Sequence, residues 1–564
     1  MQTFRDEIIN LLSGLLSVDR QQVEDDLETP PNPELGDFAF PCFKLAKQFK
    51  NSPAKIATDL AEKLPVGELF ERVEARGPYI NFFCSRKKLA ELTVAAVLGE
   101  ESRYGRLPLG DGKTVVIDFS APNIAKPFGV GHLRSTVIGN SLYRIFNALG
   151  YRSVGINHLG DWGTQFGKLI VAYLTWGEDE RLEENPITYL YELYVRFHRE
   201  AEANPSLEEE ARAWFKKLED GDRQAQKLWQ RFRDLSLTEF KRIYAILNVS
   251  FDSYQGESFY NEMLDDTVNA VEEQGLARLS EGALIVELEQ EGMPPCLLRK
   301  QDGATLYATR DLCAAIYRQQ MYQFDRMLYV VGADQALHFQ QVFTVLKKMG
   351  HGWAQNCLHI PFGLIRFKEG KMSTRQGTLV FLEDVLDRAT ELAGQIIREK
   401  NPSLENKAEV ARQVGVGAVI FGDLSNDRVK DIEFDWEKIL DFSGETAPYI
   451  QYSHARICSI LRKAGSRSDS FDAGLLVSEE EQVVIRSLAR FSDAIVRASE
   501  TYKSSIVARY LIDLARDFNK FYHQCPVIQA EENMRDARLA LIDAVRQVLV
   551  NGLWLLGIDA PKEM

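Results

Sequence analysis

The sequence predicts a multidomain protein that combines a parallel α/β domain with an α+β domain before it and an all-α helical bundle after it. Its 564 residues exceed what one hydrophobic core holds and indicate three or four domains. A buried strand, a loop and a helix follow one another from residue 114, and apolar residues recur at helical spacing from about residue 400 onward. We therefore expect domains at 1–108, 109–400 and 401–564, with an insertion at about 178–300.

The first domain is expected to mix helices and strands. An amphipathic helix is predicted at the N-terminus, where apolar residues recur every three or four positions. Residues 76–83 (RGPYINFF) are typical of a turn followed by a strand. The residues that carry the helical pattern are Phe4, Ile8, Leu11, Leu12 and Leu15.

The second domain opens with a pattern that suits a phosphate. Residues 114–119 (TVVIDF) predict a buried strand, and apolar residues at helical spacing follow from Gly131 to a stop at Gly150. Free amides and the helix dipole face a ligand at such a strand–loop–helix junction. Gly129 and Gly131 would let a backbone approach it, and His132 could donate to phosphate oxygens. The alternative is an ordinary junction with a chance histidine.

A second motif lies far downstream. Residues 370–377 (GKMSTRQG) form a polar segment bounded by glycines, which could close over a ligand. Lys371 would offer its charge to a leaving pyrophosphate, where negative charge develops. A solvated basic turn would by itself explain residues 371–375 (KMSTR). Its position after the first motif favours ATP chemistry.

Helices are expected in the insertion and in the last domain. Residues 207–233 are charge-rich and predict a largely solvated helix, and the parallel-sheet pattern resumes at residues 326–332 (RMLYVVG). Ser478 and Glu481 form a capping box before apolar residues at helical spacing. Three such stripes predict a bundle: Val483, Leu488, Phe491, Ile495 and Val496; Leu511, Leu514, Phe518 and Phe521; Leu539, Ile542, Val545, Val548, Leu549 and Leu553.

Composition limits the alternatives. The net charge of −15 does not exclude a nucleic-acid partner, because phosphate contacts need only a local basic face. No apolar run reaches the length of a membrane span, and the first residues lack a signal-peptide pattern. Seven cysteines without a Cys-x-x-Cys pair argue against zinc and a disulfide framework and fit a reducing cytoplasm.

Taken together, the motifs resemble those of arginyl-tRNA synthetases, which belong to class I. The resemblance covers essentially the whole chain in family order. It implies a Rossmann-like nucleotide-binding catalytic domain with an insertion, an N-terminal module that touches the elbow of tRNA, and a bundle that reads the anticodon. The segments that carry it, beside the two motifs above, are residues 36–39 (GDFA), 120–126 (SAPNIAK), 157–167 (NHLGDWGTQFG), 307–311 (YATRD), 447–456 (APYIQYSHAR) and 536–539 (DARL).

The resemblance also implies the reaction. The arginine carboxylate would attack the α-phosphate of ATP, and the arginyl group would pass to the 2′-hydroxyl of the 3′-terminal adenosine of tRNA(Arg). Mg²⁺ would accompany ATP, no structural metal is expected, and the first step would need bound tRNA. A cytoplasmic monomer is the expected state.

Residue roles carry over by position. Asp311 and Tyr307 would face the guanidinium, which needs carboxylates and acceptors, while Asp118 and Asn123 would hold the α-amino end. Many family members have glutamate where Asp118 stands. The expected sets are, for catalysis, His132, Lys371, Met372, Ser373 and Lys126; for ATP, Gly129, Gly131, His132, Gly332, Asp334 and Lys371; for arginine, Asp118, Asn123, Tyr307, Asp311 and Gln335; for the tRNA D-loop, Tyr79 and Asn81; and, near the anticodon, candidates among Tyr449, Gln451, Tyr452, His454 and Arg456.

One departure from the family pattern leaves alternatives open. Gly129 stands where the first histidine of His-x-Gly-His is usual. Lys126 and Lys371 could supply the missing charge, as in arginyl enzymes that have a small residue there. Otherwise the protein would be a non-catalytic tRNA-binding relative. A small-molecule nucleotidylyltransferase would share the nucleotide chemistry but would not need the first and last domains.

Overall fold

The computed structural model describes residues 1–30, 32–301, 303–367, 381–465 and 471–564. No helix among these residues is long and apolar enough to cross a membrane.

The N-terminal part is an antiparallel sheet covered by helices. Its elements are α1 (Gln2–Leu16), α2 (Arg20–Asp26), β1 (Phe38–Pro41), α3 (Ala46–Phe49), α4 (Pro53–Ala61), β2 (Phe70–Arg76), β3 (Tyr79–Cys84) and α5 (Arg86–Glu100). Strand β3 lies between β1 and β2, and its alternate residues Ile80, Phe82 and Cys84 are buried in the core. The predicted N-terminal helix and the predicted turn and strand are both confirmed.

The central part is built on a parallel sheet. Its elements outside the insertion are β4 (Thr114–Asp118), α6 (Val130–Ala148), β5 (Arg152–Ile156), α7 (Gln165–Trp176), α13 (Tyr307–Tyr322), β9 (Arg326–Tyr329), α14 (Ala336–Lys348), β10 (Cys357–His359) and β11 (Ile365–Phe367). The strand order is β10-β9-β4-β5, and all three pairings are parallel. Strand β4 is buried along its whole length, as its β-branched sequence predicts.

The insertion contains helices and a small antiparallel sheet. Its elements are α8 (Asp179–Glu184), α9 (Pro186–Ala203), α10 (Ser206–Glu219), α11 (Arg223–Ile246), α12 (Leu264–Glu273), β6 (Ala277–Ser280), β7 (Ala283–Val286) and β8 (Cys296–Arg299). The charge-rich stretch is helical, as predicted. It is less solvated than expected, because Ala211, Leu218, Ala225 and Phe232 within it are buried. Beyond this stretch, α11 also buries Phe240 and Tyr244 in the main core.

The C-terminal part is helical apart from one short strand. Its elements are α15 (Leu382–Lys400), α16 (Lys407–Leu424), β12 (Ile432–Phe434), α17 (Trp436–Ile439), α18 (Ala447–Ala464), α19 (Glu479–Ala489), α20 (Phe491–Thr501), α21 (Ser505–Gln524) and α22 (Glu532–Leu555). The capping box at Ser478 and Glu481 is confirmed. The apolar stripe that follows the capping box does not form one helix, because α19 ends before Arg490 and α20 begins after it. The boundaries of the three domains stay predictions.

Candidate active site

The loop between β4 and α6 has an unusual backbone. Ser120, Ala121 and Ala125 have positive φ angles of 74°, 48° and 57°. Each such non-glycine residue costs about 1–3 kcal/mol and persists only where the surroundings hold it. Strain of this kind concentrates at ligand sites, and here it lies between the sheet and the N-terminus of α6.

Hydrogen bonds from three elements hold this loop. The Ser120 amide donates to Ser135 Oγ (2.8 Å) on α6, and Ser135 Oγ donates to the Val330 carbonyl (2.6 Å) after β9. The Ser120 hydroxyl lies 2.8 Å from the Tyr244 hydroxyl, and the Ala125 amide donates to Ser236 Oγ (2.9 Å). Because Tyr244 and Ser236 belong to α11, the insertion supports the loop. Sequence reasoning missed these contacts, which span about a hundred residues and leave no local pattern.

His132 lies in the first turn of α6 as a neutral hydrogen-bond donor. The Gly129 amide donates to its Nδ1 (3.2 Å), which assigns the proton to Nε2. Burial lowers the pKa of His132, and the positive charge of Lys126 lowers it further. The ring packs beside Phe128, with 5.1 Å between the ring centres. The free Nε2–H can therefore donate without carrying a charge.

The other residues of the first motif frame the helix terminus. Gly129 is the buried N-cap of α6, and Gly131 is exposed with open space where a Cβ would stand. A phosphate group of a ligand could approach the protein backbone most closely at Gly131. The ammonium of Lys126 lies 5.3 Å from the ring centre of Tyr194 on α9, so it faces the insertion across the loop.

The structure brings the chain that follows the second motif to the first motif. Lys371, Met372 and Ser373 lie outside the described residues. Phe381, which follows the undescribed stretch, forms an antiparallel bridge with Gly129, and the Leu382 amide donates to the Phe128 carbonyl (2.8 Å). Segments that are more than two hundred residues apart in sequence therefore meet beside His132, as ATP chemistry would require.

The carboxyl edge of the sheet supplies the predicted nucleotide residues. Gly332 follows β9 and bridges to Phe362, and a Cβ on it would stand 2.5 Å from Asp334 Oδ1. Gln335 Nε2 donates to Asp334 Oδ2 (3.1 Å). These residues follow a strand adjacent to β4, and ligands of open parallel sheets bind at this edge.

Asp118 has a partner that the sequence did not reveal. Its Oδ2 lies 2.8 Å from Nη1 of Arg318 on α13, and the residues are 6% and 1% exposed. Burial opposes the charge of Arg318, but the pKa of Arg318 is raised, chiefly by Asp118 and to a smaller extent by Tyr260, Tyr329 and Asp311. Asp118 was expected to hold the α-amino group of arginine. The binding of the α-amino group by Asp118 stays a prediction, and the Asp118 carboxylate is already paired with Arg318.

Asp311 and Tyr307 lie four residues apart on α13, which puts them on one face of that helix. Asp311 Oδ2 lies 2.5 Å from His338 Nε2, and its side chain is 20% exposed. Tyr307 is 68% exposed. Asn123, also exposed, lies so close to Gly160 that a Cβ there would meet the Asn123 amide oxygen at 2.1 Å. A side chain at position 160 would therefore displace the Asn123 amide.

Glu257 is a further carboxylate near Asp311, and nothing in its local sequence signals it. Burial raises its pKa to about 7; Arg310 opposes the shift, and Asp161 and Asp311 add to it. Several carboxylates thus crowd one half-buried region, where Arg233 pairs with Asp161 (3.1 Å) and Arg310 lies near Glu257. Such a region favours a cationic ligand.

The predicted D-loop residues lie on the central strand of the N-terminal sheet. Tyr79 is half-buried and packs edge-on against the exposed Phe43, with ring centres 5.7 Å apart. Asn81 is only 3% exposed, between Ala39 and Glu74 on the neighbouring strands. A base could stack on the aromatic pair more readily than it could reach the Asn81 amide.

The anticodon candidates on α18 divide into two groups. Gln451 and His454 are buried and hold the C-terminal residues: Gln451 Nε2 donates to the Asp559 carbonyl (2.8 Å), and His454 Nδ1 lies 2.9 Å from the Pro561 carbonyl. Tyr452 is exposed, with the Arg456 guanidinium 4.8 Å from its ring centre. The fifth candidate, Tyr449, is half-buried, and its hydroxyl accepts from Asn519 Nδ2 (3.0 Å). Of the five candidates, Tyr452 is the exposed one, so an RNA base could approach from solvent there and at Arg456 beside it.

Comparisons with known proteins agree with this geometry. The profile described as the catalytic domain of class I tRNA synthetases (R) matches residues 93–436, the DALR anticodon binding domain matches 450–564, and the arginyl tRNA synthetase N terminal domain matches 2–84. An arginine–tRNA ligase of Clostridioides difficile (strain 630) is 50% identical, with both chains fully covered. Arginine–tRNA ligase 2 of Bacillus anthracis is 52% identical over 100% of this chain and 99% of that protein. The arginyl-tRNA synthetase of Thermus thermophilus superposes with a TM-score of 0.81 at 26% identity, covering 95% of this chain and 96% of that one.

The parallel sheet, the glycine-bounded helix terminus and the profile match define a class I aminoacyl-tRNA synthetase. Its relatives are similar along the whole chain, including the domains on either side of the catalytic one. The chain belongs to the arginyl-tRNA synthetase family.

Proposed function

We propose that this protein is an arginine–tRNA ligase that activates L-arginine with ATP and transfers it to the 3′-terminal adenosine of tRNA(Arg). Relatives with that name are about half identical over the full chain. The structural observation that carries the proposal is the junction of Phe128 and Gly129 with Phe381 and Leu382, which brings the chain that follows the Lys371 motif to the helix of His132.

In the first step, the arginine carboxylate attacks the α-phosphate in line and pyrophosphate leaves. The neutral His132 donates from Nε2 to a phosphate oxygen as negative charge develops. Lys371 adds a point charge at the leaving pyrophosphate, with Met372 and Ser373 beside it in the segment. Mg²⁺ enters with ATP as part of the substrate. Catalysis here is positioning and electrostatics, without a covalent enzyme intermediate.

Arginine selectivity rests on Asp311 and Glu257. A guanidinium offers a planar fork of donors and a permanent charge, so it fits a region where several carboxylates crowd together. Tyr307 and Gln335 border this region as neutral hydrogen-bonding groups. Lysine would bring a point charge without the fork, and neutral amino acids would leave the carboxylates unpaired.

The tRNA contacts are assigned to the N-terminal part and to the helical bundle. Tyr79 with Phe43 offers an aromatic surface to an unpaired D-loop base, and Tyr452 with Arg456 offers a second surface on the bundle. In the second step the 2′-hydroxyl attacks the adenylate carbonyl, the bond from that carbonyl to the phosphate oxygen breaks, and AMP leaves. The first step is expected to require bound tRNA, and the protein is expected to act as a monomer.

The test is exchange of pyrophosphate into ATP by the purified protein, with each amino acid in turn and with or without tRNA. If arginine is the only amino acid that supports exchange, and if exchange also needs tRNA, the result would support the substrate, the chemistry and the tRNA dependence together. Absence of exchange with tRNA still bound would favour a non-catalytic tRNA-binding relative. Exchange with a different carboxylic acid and no need of tRNA would favour a nucleotidylyltransferase.

A further inference from the structure

Asp37 joins the N-terminal sheet to the helical bundle. It belongs to residues 36–39 (GDFA), a motif that the active site does not use, and it is 3% exposed. Its Oδ2 accepts from the amide of Cys84 (2.9 Å) at the end of β3, and its Oδ1 accepts from Nε of Arg486 (2.9 Å) on α19. One buried carboxylate thus bonds the strand that carries Tyr79 to a helix of the bundle.

The backbone of the same motif holds Asp37 against β3. Gly36 has a φ angle of 101°, and a Cβ on it would stand 2.8 Å from the Phe82 carbonyl oxygen. The Asp37 amide donates to that same carbonyl (2.8 Å). Any other residue at position 36 would push the motif away from the strand. Asp37 is therefore fixed to β3 through its backbone as well as through its side chain.

Hydrogen bonds continue through the bundle from α19 to the anticodon candidate Arg456. Ser487, the residue after Arg486, donates from its hydroxyl to Asp517 Oδ2 (2.6 Å) on α21. Two residues further along α21, Asn519 accepts from Arg456 Nη1 (2.8 Å) through its Oδ1. One bonded frame therefore holds both the strand β3 and the helix α18.

We propose that Asp37 and Arg486 are positioning residues for tRNA, which hold the aromatic surface at Tyr79 in a fixed place relative to the surface at Tyr452 and Arg456. This proposal rests on the proposed function, which assigns those two surfaces to one tRNA. When a rigid ligand binds at two surfaces, the second contact forms at an effective concentration that depends on how well the surfaces are placed. Loosening the link should weaken the binding of whole tRNA without altering either surface.

Other bonds should keep the two parts docked when the Asp37 pair is lost. Gln482 Nε2 on α19 donates to the Arg86 carbonyl (3.1 Å), and the Tyr104 hydroxyl donates to the Leu488 carbonyl (3.0 Å). These bonds reach α5 and the residues that follow it, whereas Asp37 reaches β3 directly. Loss of the pair should therefore leave the N-terminal part attached to the bundle while β3 gains freedom to shift.

The test is a double-mutant cycle between Arg486→Met and Tyr79→Ala, measured as the Kd of tRNA(Arg). Methionine keeps the length of the side chain up to Nε but has no donor there. We expect Arg486→Met alone to raise the Kd about 5- to 30-fold, which is part of the gain that two joined contacts give over one. In the Tyr79→Ala background it should raise the Kd less than about 2-fold, because the surface that it positions no longer binds.

Arg538→Met is the matched control. Arg538 Nε donates to Glu481 Oε1 (2.8 Å) on the same helix α19, and the two arginines are similarly buried. Arg538 lies on α22, so its pair stays within the bundle. The effect of this control on the Kd, whatever its size, should be equal in both Tyr79 backgrounds. Equal effects of Arg486→Met in the two backgrounds, or a parent-like Kd in the single variant, would overturn the proposal.

Asp37→Asn provides a second route if Arg486→Met does not fold. Asparagine keeps an oxygen for the Cys84 amide but loses the acceptor for Arg486. The same cycle applies to it, with the same two overturning results. Failure of the proposed function would appear in the parent protein instead, as the absence of arginine-dependent pyrophosphate exchange, whereas failure of the present proposal would leave that exchange intact.

Discussion

Replacing Asp118 with asparagine should destabilise the catalytic domain by about 3–5 kcal/mol, because it leaves the buried Arg318 without its carboxylate. The two groups are 2.8 Å apart and nearly inaccessible to water. Asparagine keeps the shape of the side chain but cannot balance the charge. A loss of this size is a large fraction of the stability of a typical domain, so it should lower the urea midpoint clearly.

Urea unfolding of four proteins measures the effect: the parent, Asp118→Asn, Arg318→Met, and the double variant. The double variant should recover much of the stability that either single variant loses, because no unpaired charge remains. Asp311→Asn is a useful control, since Asp311 is more exposed and should cost less. The reasoning is refuted if Asp118→Asn unfolds at the parent midpoint and only its KM for arginine rises. Asp118 would then be a substrate ligand before anything else.

Three further predictions concern the site itself. Asp311→Asn should raise KM for arginine about 10- to 100-fold, through the loss of a charge-assisted bond worth about 1.5–3 kcal/mol, with little change in KM for ATP; an unchanged KM would remove Asp311 from the pocket. His132→Gln should slow adenylate formation about 10²- to 10³-fold. Because the pKa of His132 is lowered, the rate of the parent protein at saturating arginine should be the same at pH 7 and pH 8. Because the pKa of Glu257 is raised to about 7, its carboxylate gains charge through that pH, so KM for arginine should fall from pH 6 to pH 8 in the parent and lose this dependence in Glu257→Gln.

The sequence predicted the elements that have a local period. The buried strand before residue 119, the helix after Gly129 and the capping box at Ser478 all follow from spacing and residue type, and the structure has them. The sequence could not show that Arg318 pairs with Asp118, because two hundred residues separate the two positions. Arg318 lies seven residues after Asp311 on one helix, and that spacing was the only available signal. The break at Arg490 was missed because the apolar spacing continues across it.

The Asp118–Arg318 pair bears on how an enzyme for arginine tells its substrate from other cations. The carboxylate of Asp118 at the end of β4 is already paired with a protein arginine, so its charge is balanced before free arginine arrives. The remaining negative charge lies at Asp311 and Glu257, where burial and mutual repulsion hold the pKa of Glu257 near 7. A guanidinium that enters should therefore bind there, and its charge would hold Glu257 ionised. Substrate binding should then release a fraction of a proton per site at pH 7, and a calorimetric measurement in two buffers of different ionisation enthalpy would detect it. Equal binding enthalpies in the two buffers would show that Glu257 lies outside the pocket.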